Sequence, residues 1–318
     1  MGSVLIFGGS GFIGTHYSKK LISEGYKIYI VDLKEPRFKD KNLFYINCDV
    51  RDLSSLKLEC KINRIYNFAA IHTTPGHPTH EYYETNIAGA NEVCSFAEKN
   101  KINEIIFTSS ISVYGPDEEQ KDEYSTLSPN SAYGYSKMLA ENIHKAWNNR
   151  NQNSLLTIIR PAVVFGPGEG GNFTRLANLM QKGVFIYPGR KDTIKSCIYV
   201  DDLIYLIEKA RNTESEYELL NGCYPERYTL EDIILAFKLN HYPDVMLFSS
   251  PKFFVLFAAK VFKIFNFLNI GVHPDRVMKL IKSTNIYPTW LVKHEIELPG
   301  DLKGALKKWA ENTNGRFN

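Results

Sequence analysis

Cysteine is scarce in this sequence, and no two cysteines stand close enough to form a metal-binding pair. The five cysteines lie at positions 48, 60, 94, 197 and 223, without a CxxC or CxxH spacing. An odd number with such spacing fits neither a disulfide framework nor a zinc ribbon. It does fit a reducing compartment, so we expect a cytoplasmic protein.

A strong excess of one charge is also absent. The 318 residues include 38 Lys and Arg against 35 Asp and Glu, a net charge of +3, and these charges are spread along the chain. A nucleic-acid partner usually requires a strongly basic surface, so we expect no such partner. Hydrophobic residues make up 44% of the chain, which is enough for a packed core and excludes wholesale disorder.

The chain contains no long apolar run that is free of charges. Its start lacks the basic lead-in and the apolar stretch of a signal peptide. The most apolar segment, residues 253–270, is interrupted by Lys260 and Lys263, so it falls short of the ~18 uncharged residues that a spanning helix needs. We interpret it as an amphipathic helix at a domain interface, with a membrane-surface helix as the less favoured alternative. We therefore expect a soluble protein without a membrane partner.

Short apolar runs alternate with helix-like segments along residues 4–160. This alternation predicts an α/β fold, namely a Rossmann-type doubly wound parallel sheet. Beyond residue 165 the pattern loosens and the last 70 residues are helix-rich, which predicts a small helix-rich C-terminal substrate domain. A strand at 194–200 and a helix at 201–211 are expected to return to the main sheet. The predicted bounds are 1–165, with 190–222 returning to it, for the Rossmann domain, and 166–189 with 223–318 for the substrate domain.

A glycine-rich turn follows the first predicted strand and opens the first predicted helix. It reads Gly8-Gly9-Ser10-Gly11-Phe12-Ile13-Gly14. Glycines let the backbone turn tightly and approach a pyrophosphate, which the helix N-terminus attracts. Asp32 ends the next strand, where a carboxylate accepts hydrogen bonds from the ribose of NAD and repels the 2′-phosphate of NADP. The sequence thus predicts an NAD site made of Gly8, Gly11, Phe12, Ile13, Gly14 and Asp32.

A tyrosine and a lysine stand four residues apart in a predicted helix, in the stretch Tyr133-Gly134-Tyr135-Ser136-Lys137. Residues at this spacing share one helix face. A phenol with an ordinary pKa of ~10 is a poor base at neutral pH unless a nearby cation stabilises its anion. Lys137 would supply that cation, so Tyr133 is the predicted base.

Hydroxyl side chains follow the predicted strand at 104–109, in the stretch Thr108 to Gly115. Ligands of open α/β sheets bind at the carboxyl ends of the strands. A hydroxyl here can therefore hydrogen-bond the substrate oxygen on which Tyr133 acts.

These three motifs, in this order, resemble the extended short-chain dehydrogenase/reductase family in its nucleotide-sugar epimerase and dehydratase branch. The resemblance covers residues 3 to about 240. It implies an NAD-dependent enzyme with Ser110, Tyr133 and Lys137 as catalytic residues. It also implies a homodimer paired through helices 82–100 and 132–149, as in relatives.

The resemblance further implies roles for residues outside the three motifs. In the family, matching positions contact the adenine, lie along the cofactor, stand behind the active site, or lead into the substrate domain. Cofactor contacts are accordingly expected from Asp49, Val50, Phe68, Ala69, Ala70, Asn86, Pro161, Tyr133 and Lys137. Substrate contacts are expected from Ser112, Asn172 and Lys195, with Asn172 and Lys195 at the diphosphate.

Two features depart from the family's pattern. The position of Lys195 is commonly arginine, and lysine keeps the charge but not the bidentate fork. A second, C-terminal arginine has no clear match, with Arg276 the candidate. Both departures bear on which nucleotide the substrate carries more than on which reaction is catalysed.

The expected reaction is 4-epimerisation of a nucleotide sugar through a 4-keto intermediate. Ile111 and Ser112 stand where sugar 4,6-dehydratases carry an acid pair, which makes dehydration a weaker interpretation. A 4-keto-sugar reductase or another alcohol dehydrogenase of the same family remains the alternative. A non-catalytic dinucleotide sensor is less favoured, because the set of Ser110, Tyr133 and Lys137 is complete.

Three histidines, His72, His77 and His80, lie within nine residues. Their spacing matches no helical ligand pair, and neither a cysteine nor a pair of carboxylates stands beside them. We expect a loop near the substrate here and no bound metal.

Overall fold

The computed structural model describes residues 2–73, 76–213, 215–251 and 281–318. These residues divide into two compact units. The first comprises Met1–Gly115, Ser125–Pro161 and Leu203–Asn221. The second comprises Pro116–Tyr124, Ala162–Asp202 and Gly222–Asn318.

The first unit alternates strands and helices, as the sequence predicts. In chain order its elements are β1 (Ser3–Phe7), α1 (Phe12–Ser23), β2 (Lys27–Asp32), β3 (Leu43–Asn47), β4 (Arg64–Asn67), α2 (Thr79–Tyr83), a π-helical turn (Glu84–Ala88), α3 (Gly89–Lys99), β5 (Glu104–Thr108), a 3₁₀ turn (Ile111–Val113), α4 (Ala132–Arg150) and β7 (Leu155–Pro161). The strand β6 (Asp117–Lys121) belongs to the second unit. Helix α6 (Val200–Arg211), from Leu203 onward, and strand β11 (Tyr217–Gly222), up to Asn221, complete the first unit.

Seven strands form the central sheet in the order β11-β7-β5-β4-β1-β2-β3. The pairings of β1 with β2 and β4, of β2 with β3, and of β5 with β4 and β7 are all parallel. The chain runs outward from β1 to β3 and then restarts on the other side of β1 at β4. Ligands of doubly wound sheets bind at such a switch point, at the carboxyl ends of the strands. The predicted Rossmann-type fold is confirmed.

Burial explains the composition of the strands. All five residues of β1 are buried, and this strand is an uninterrupted run of β-branched and large apolar residues after Ser3. Such runs are typical of central parallel strands, which helices cover on both faces. The edge strand β3 is only partly buried and includes polar residues.

The helix predicted over residues 82–100 is not one regular α-helix. A π-helical turn at Glu84–Ala88 separates α2 from α3. Short π-helical turns inside α-helices are rare and occur often at functional sites. The turn brings Asn86 to a buried position, which periodicity alone does not predict.

The expected return to the main sheet lies further along the chain than the sequence suggests. Residues Cys197–Tyr199 form a short strand, β10, which pairs in parallel with β8 (Val163–Phe165) in a separate two-stranded sheet. The strand that joins the central sheet is β11. The prediction of a strand at 194–200 was right in kind, but its partner was wrong, because pairing depends on distant residues.

The second unit contains short parallel pairs and helices. Besides β6, β8 and β10 it holds α5 (Asn172–Gln181), β9 (Val184–Pro188), α7 (Leu230–Asn240), β12 (Met246–Ser250), β13 (Thr284–Ile286), α8 (Thr289–Lys293) and α9 (Leu302–Asn312). Strand β12 pairs with β9, and β13 pairs with β6. The helix expected at 253–270 and the candidate Arg276 lie outside the described residues. Among the residues that are described, no helix has the length and apolar character needed to cross a bilayer.

The glycine turn constrains the stability of the first unit. A Cβ added at Gly14 would stand 2.5 Å from the Gly8 carbonyl oxygen and 2.6 Å from the Gly9 Cα. Because both atoms are backbone, we expect Gly14→Ala to lower the free energy of unfolding by about 1–3 kcal/mol, the usual cost of overpacking. Urea unfolding followed by circular dichroism measures this change.

Gly304 supplies a matched control, because it is the third residue of α9 as Gly14 is of α1. A Cβ at Gly304 would meet only the Asp301 side chain, at 3.1 Å. We expect Gly304→Ala to be neutral or to stabilise by up to about 1 kcal/mol, since alanine favours helices. Equal effects of the two substitutions would contradict the steric argument.

Candidate active site

The glycine turn forms a backbone cradle at the switch point of the sheet. Gly8 has φ +75°, a conformation that L side chains rarely adopt, and a Cβ there would stand 2.6 Å from the Ala69 nitrogen. Helix α1 begins at Gly11 without a side-chain cap, so its first N–H groups face outward from the turn. At Gly11 an added Cβ would meet only the Gly8 carbonyl oxygen, at 3.2 Å. This open, uncapped helix end fits the pyrophosphate of a dinucleotide.

Asp32 stands at the end of β2, beside the same turn. One of its carboxylate oxygens accepts a hydrogen bond from the Ser10 N–H (3.1 Å) and the other from the Lys34 N–H (3.0 Å). A carboxylate oxygen accepts more than one hydrogen bond, so both oxygens keep capacity for a ribose diol. The residues present therefore fit NAD.

Arg37 is a residue that the sequence did not single out. Its Nε donates to the Ser10 carbonyl oxygen at 3.2 Å, which places a guanidinium at the glycine turn. The signal was present as an arginine five residues after Asp32. Only the loop's path shows that this arginine turns back to the cradle.

The loops after β3 and β4 hold further residues expected at the cofactor. Asp49 forms a bidentate pair with Arg51, whose Nη2 donates to Oδ2 at 2.6 Å and whose Nε donates to Oδ1 at 3.1 Å, and this hydrogen bonding holds the pKa of Asp49 below its ordinary value. The Val50 side chain packs beside Gly89, where an added Cβ would stand 3.0 Å from the Val50 Cγ1. The Phe68 N–H donates to the Phe7 carbonyl oxygen at 2.9 Å, which aligns the segment Phe68–Ala69–Ala70 with the end of β1.

Asn86 links two backbone segments of the site. Its Oδ1 accepts from the Ile71 N–H (2.9 Å), and its Nδ2 donates to the Ile71 carbonyl oxygen (3.1 Å) and to the Ser136 Oγ (2.8 Å). The side chain is buried. Asn86 thereby ties the loop after β4 to the helix that carries Tyr133.

Ser110 opens the 3₁₀ turn that follows β5. Its Oγ accepts a hydrogen bond from the Ser112 N–H at 3.1 Å, so Ser110 caps the turn. Helix α4 packs directly on this turn, because a Cβ at Gly134 would collide with the Ser112 carbonyl oxygen. The absence of a side chain at Gly134 thus lets the helix that carries Tyr133 approach the turn that carries Ser110.

Tyr133 lies in the first turn of α4, and its side chain is half-buried. Desolvation raises its pKa to about 12, and a side-chain hydrogen bond with Ser110 acts in the opposite direction. The ring of Tyr82, from α2, lies 6.4 Å away between centroids. Tyr133 and Ser110 are therefore brought together, as the sequence predicts.

Lys137 is almost completely buried one turn further along α4. Its Nζ donates to the Thr108 carbonyl oxygen at 2.8 Å and lies 4.8 Å from the centre of the Phe107 ring. Desolvation lowers its pKa to about 7, while the charge of Glu141 acts in the opposite direction. Desolvation thus favours the neutral forms of both Lys137 and Tyr133.

A buried ion pair behind these residues was missed from the sequence. Glu141 and Arg160 form two hydrogen bonds, of 2.8 Å from Nε and 2.7 Å from Nη2. A signal was available: Glu141 stands four residues after Lys137, and Arg160 ends an otherwise apolar strand run. The pairing itself spans 19 residues of sequence and follows only from the fold.

His144 is a second buried polar residue on α4. Its ring stacks on Phe107 (4.0 Å between centroids), and its Nε2 lies 3.2 Å from the Asn67 amide nitrogen. Burial lowers its pKa to about 4. Like Glu141, it faces the sheet and has its partner there.

The residues expected at a substrate diphosphate belong to the second unit. Asn172 is the first residue of α5 and is exposed. Lys195 donates from Nζ to the Lys282 carbonyl oxygen at 2.6 Å, and burial lowers its pKa to about 8. Their predicted substrate contacts stay predictions.

Of the three histidines, His72 and His77 interact electrostatically. His77 pairs with Glu81 at 2.8 Å, and the charge of Lys137 contributes, after desolvation, to a lowered pKa of His72. Within the described parts of the chain, no group of three or more potential ligands could hold a metal ion.

The sequence matches the model of the NAD-dependent epimerase/dehydratase family over residues 4–221. A 4-epimerase of N-acetyl-α-D-glucosaminyl-diphospho-ditrans,octacis-undecaprenol from Escherichia coli O157:H7 is 34% identical over 222 residues, which is 69% of this chain and 66% of that protein. The chain thus spans just under two thirds of that relative. A UDP-glucose 4-epimerase of Bacillus subtilis (strain 168) is 28% identical over 281 residues, 74% of this chain and 81% of that protein.

Solved structures share the fold. MoeE5 in complex with UDP-glucose and NAD superimposes with a TM-score of 0.76 at 20% identity, covering 98% of this chain and 99% of that one. At this level of identity the likeness concerns the fold.

The depressed pKa of Lys137 predicts a pH-dependent stability change in Lys137→Met. In the wild type, the unfolded chain binds a proton at this lysine as the pH falls from about 10.5 toward 7, while the folded chain does not, so stability is lost over this window. The variant lacks this proton. We therefore expect its free energy of unfolding, relative to the wild type, to rise by a few kcal/mol between pH 10 and pH 7.

Urea unfolding at pH 7, 8.5 and 10 measures this difference. Lys99→Met, at an exposed lysine in α3, controls for the loss of one lysine. A difference between Lys137→Met and the wild type that stays constant over this range would show that Lys137 is charged in the folded protein throughout.

Proposed function

The chain belongs to the NAD-dependent epimerase/dehydratase family, and on that premise we propose that it is an NAD-dependent nucleotide-sugar 4-epimerase. The observation that carries the proposal is the conjunction of Ser110, Tyr133 and Lys137 beside a cradle that fits NAD. The names of the sequence relatives, which include 4-epimerases of sugars linked through diphosphates, support the same reaction. The hydroxyl of Ser112 and the apolar Ile111 stand where dehydration would require acidic side chains.

Tyr133 is the proton acceptor in the proposed reaction. Its phenolate oxygen takes the proton of the sugar's 4-hydroxyl as the same carbon loses hydride, which leaves a 4-keto sugar and the neutral phenol. When the keto sugar rotates in the site and receives hydride on its other face, the protonated Tyr133 returns the proton to the sugar oxygen. A nicotinamide bound beside these residues supplies the hydride acceptor and donor for both steps.

Ser110 and Lys137 prepare Tyr133 for this role. Desolvation raises the pKa of Tyr133, and the hydrogen bond with Ser110 offsets part of that rise and would orient the phenol oxygen. Lys137 in its charged form favours the phenolate electrostatically. Its contact with the Thr108 carbonyl oxygen fixes the ammonium at the end of β5.

The glycine turn and its neighbours are proposed to hold NAD. Its pyrophosphate would lie at the uncapped N-terminus of α1, at Gly11, Phe12 and Ile13. Asp32 would bind the adenosine ribose. The remaining expected contacts are those of Asp49 and Val50 at the adenine, and of Phe68, Ala69, Ala70, Asn86 and Pro161 further along the cofactor.

Asn172 and Lys195 are proposed to hold the diphosphate of the substrate, and Ser112 its sugar. The pKa of Lys195, lowered to about 8, still leaves the amine mostly charged at neutral pH. A cation and a helix N-terminus both suit a diphosphate.

A polyprenyl diphosphate is the second candidate for the group that carries the sugar. The E. coli relative acts, by its name, on a sugar joined to undecaprenol through a diphosphate. In the second unit, Val184 and Ile186 of β9 stand beside Met246 and Phe248 of β12, and all four side chains are exposed. An exposed apolar face of this kind suits a lipid better than a nucleoside.

We also propose a cytoplasmic homodimer. The described cysteines are free, which suits a reducing compartment. Tyr135 and Leu139 are exposed on α4, where pairing with a second copy would cover them.

The proposed base predicts the effect of Tyr133→Phe, which removes one oxygen and keeps the ring. We expect kcat to fall by about 10²–10⁴, the usual contribution of a positioned proton-transfer group, while the protein still folds and binds NAD. The assay follows UDP-, GDP- and dTDP-sugars and polyprenyl-diphosphate N-acetylglucosamine by NMR. Tyr135→Phe, two residues along and exposed, is the matched control.

The same panel identifies the carrier of the sugar. Turnover of nucleotide sugars supports the first candidate, and turnover of the polyprenyl substrate alone supports the second. A Tyr133→Phe enzyme that works at the wild-type rate would refute the mechanism.

Asp32 predicts a preference for NAD over NADP of about tenfold or more, because its carboxylate repels the 2′-phosphate. We expect Asp32→Ser to weaken NAD binding and to improve NADP binding, since Arg37 already lies at the glycine turn. Isothermal titration of both dinucleotides against both proteins measures this. Tighter NADP binding by the wild type would contradict the assignment.

A further inference from the structure

A charged pair lies buried beside the residues of the proposed active site. Glu141 is 0% exposed and Arg160 is 2% exposed. Their two hydrogen bonds, 2.8 and 2.7 Å long, form a bidentate pair that fixes both the distance and the orientation of the two side chains. The pair connects α4 to the end of β7.

The same two side chains also hold the segment that contains Ser110. At its start, the Ser109 Oγ donates to the Glu141 Oε1 at 2.5 Å. At its end, the Tyr114 hydroxyl accepts from the Arg160 Nη1 at 2.7 Å and donates to the Asn221 Oδ1 at 2.9 Å. Both ends of residues 109–114 are therefore attached to one buried pair.

Glu141 also lies on the face of α4 that carries the proposed catalytic residues. It follows Lys137 by four residues and Tyr133 by eight, spacings that keep side chains on one side of a helix. Burying two charges costs much of the free energy that their attraction returns, so such a pair adds little net stability over apolar side chains. What it does provide is fixed geometry between the elements that it joins.

We propose that the Glu141–Arg160 pair is a positioning device that holds Ser110 in register with Tyr133. The inference rests on the proposed function, in which the Ser110 hydroxyl orients the Tyr133 phenol. Glu141 and Arg160 touch neither reacting group. They act through Ser109 and Tyr114, which they hold at the two ends of the Ser110 turn.

Removal of Glu141 would leave the Arg160 charge buried without its carboxylate, and removal of Arg160 would leave buried Glu141 with the partly exposed Lys145 at 3.7 Å. Losing one member of a buried pair in this way often prevents folding. Milder variants test the proposal instead. Ser109→Ala and Tyr114→Phe each cut one attachment of the turn and leave the pair intact. We expect each to lower kcat by about tenfold, the fold-change equivalent to one hydrogen bond of ~1.4 kcal/mol, with KM and NAD affinity unchanged within about twofold.

A pH profile separates positioning from general damage. Desolvation raises the pKa of Tyr133, and the hydrogen bond with Ser110 offsets part of that rise, so a displaced Ser110 should move the rise of kcat with pH to higher pH. The titratable and charged groups near this site come from every element packed against it. They are Tyr82 from α2, Lys137, Glu141, His144 and Lys145 from α4, Tyr114 after the 3₁₀ turn, Arg160 from β7, Tyr217 from β11, and His72 near Lys137. Ser109→Ala removes one hydrogen bond from Glu141 and replaces none of these groups.

Ser154→Ala is the matched control. Ser154 is a buried serine whose hydroxyl bonds to Asn148 and Asn151 at the opposite end of α4. It should lose comparable stability while its kcat and pH profile stay those of the wild type. The proposal is overturned if folded Ser109→Ala and Tyr114→Phe keep the wild-type kcat, if they match Ser154→Ala, or if KM and NAD affinity worsen along with kcat.

A titration without substrate keeps this test separate from the proposed function. The ultraviolet absorbance of tyrosinate, taken as the difference between each protein and its Tyr133→Phe counterpart, reports the midpoint of Tyr133. The midpoint should lie higher in Ser109→Ala than in the wild type, whether or not any sugar is turned over. An unchanged midpoint overturns the positioning role, whereas an inactive wild type with a shifted midpoint overturns only the proposed function.

Discussion

Buried hydrogen bonds between α4 and its surroundings set the geometry on which the candidate site depends. Four buried polar side chains on this helix each have a specific partner. The pairs are Ser136 with Asn86, Lys137 with the Thr108 carbonyl oxygen, Glu141 with Arg160, and His144 with Asn67. Three of these partners stand at the carboxyl ends of β4, β5 and β7. Apolar contacts tolerate small sliding movements, whereas these bonds do not, so they fix the register of Tyr133 against the sheet.

Local chemistry explains which parts of the site could be predicted from the sequence. The glycine turn, Asp32 and the spacing of Tyr133 and Lys137 each depend on neighbours within one strand–turn–helix unit or one helical turn. The partner of β10, the π-helical turn and the Glu141–Arg160 pair depend instead on residues that are distant in sequence. Periodicity carries no information about such partners, which is why the fold was predicted and these contacts were not.

The two units divide the requirements of the proposed reaction. The first supplies the proton-transfer residues and the dinucleotide cradle from one continuous set of strand ends and helix starts. The second contains Asn172 and Lys195, which are proposed to hold the substrate, together with the exposed apolar side chains of β9 and β12. The proposed proton-transfer step therefore depends little on the group that carries the sugar. That group matters more for which substrate is bound.

The π-helical turn at Glu84–Ala88 makes the length of this segment critical. Each residue of an α-helix rotates the following face by about 100°. Deleting one residue here would allow an unbroken α-helix. The face of α3 that buries Val93, Cys94 and Ala97 would then turn away from the core. That face could stay in place only if Asn86 left its contacts with Ile71. The unbroken helix of such a deletion variant would therefore lose either its packing against the core or its link to the active-site loop. Single-residue deletions should be tolerated far less here than in the surface loops.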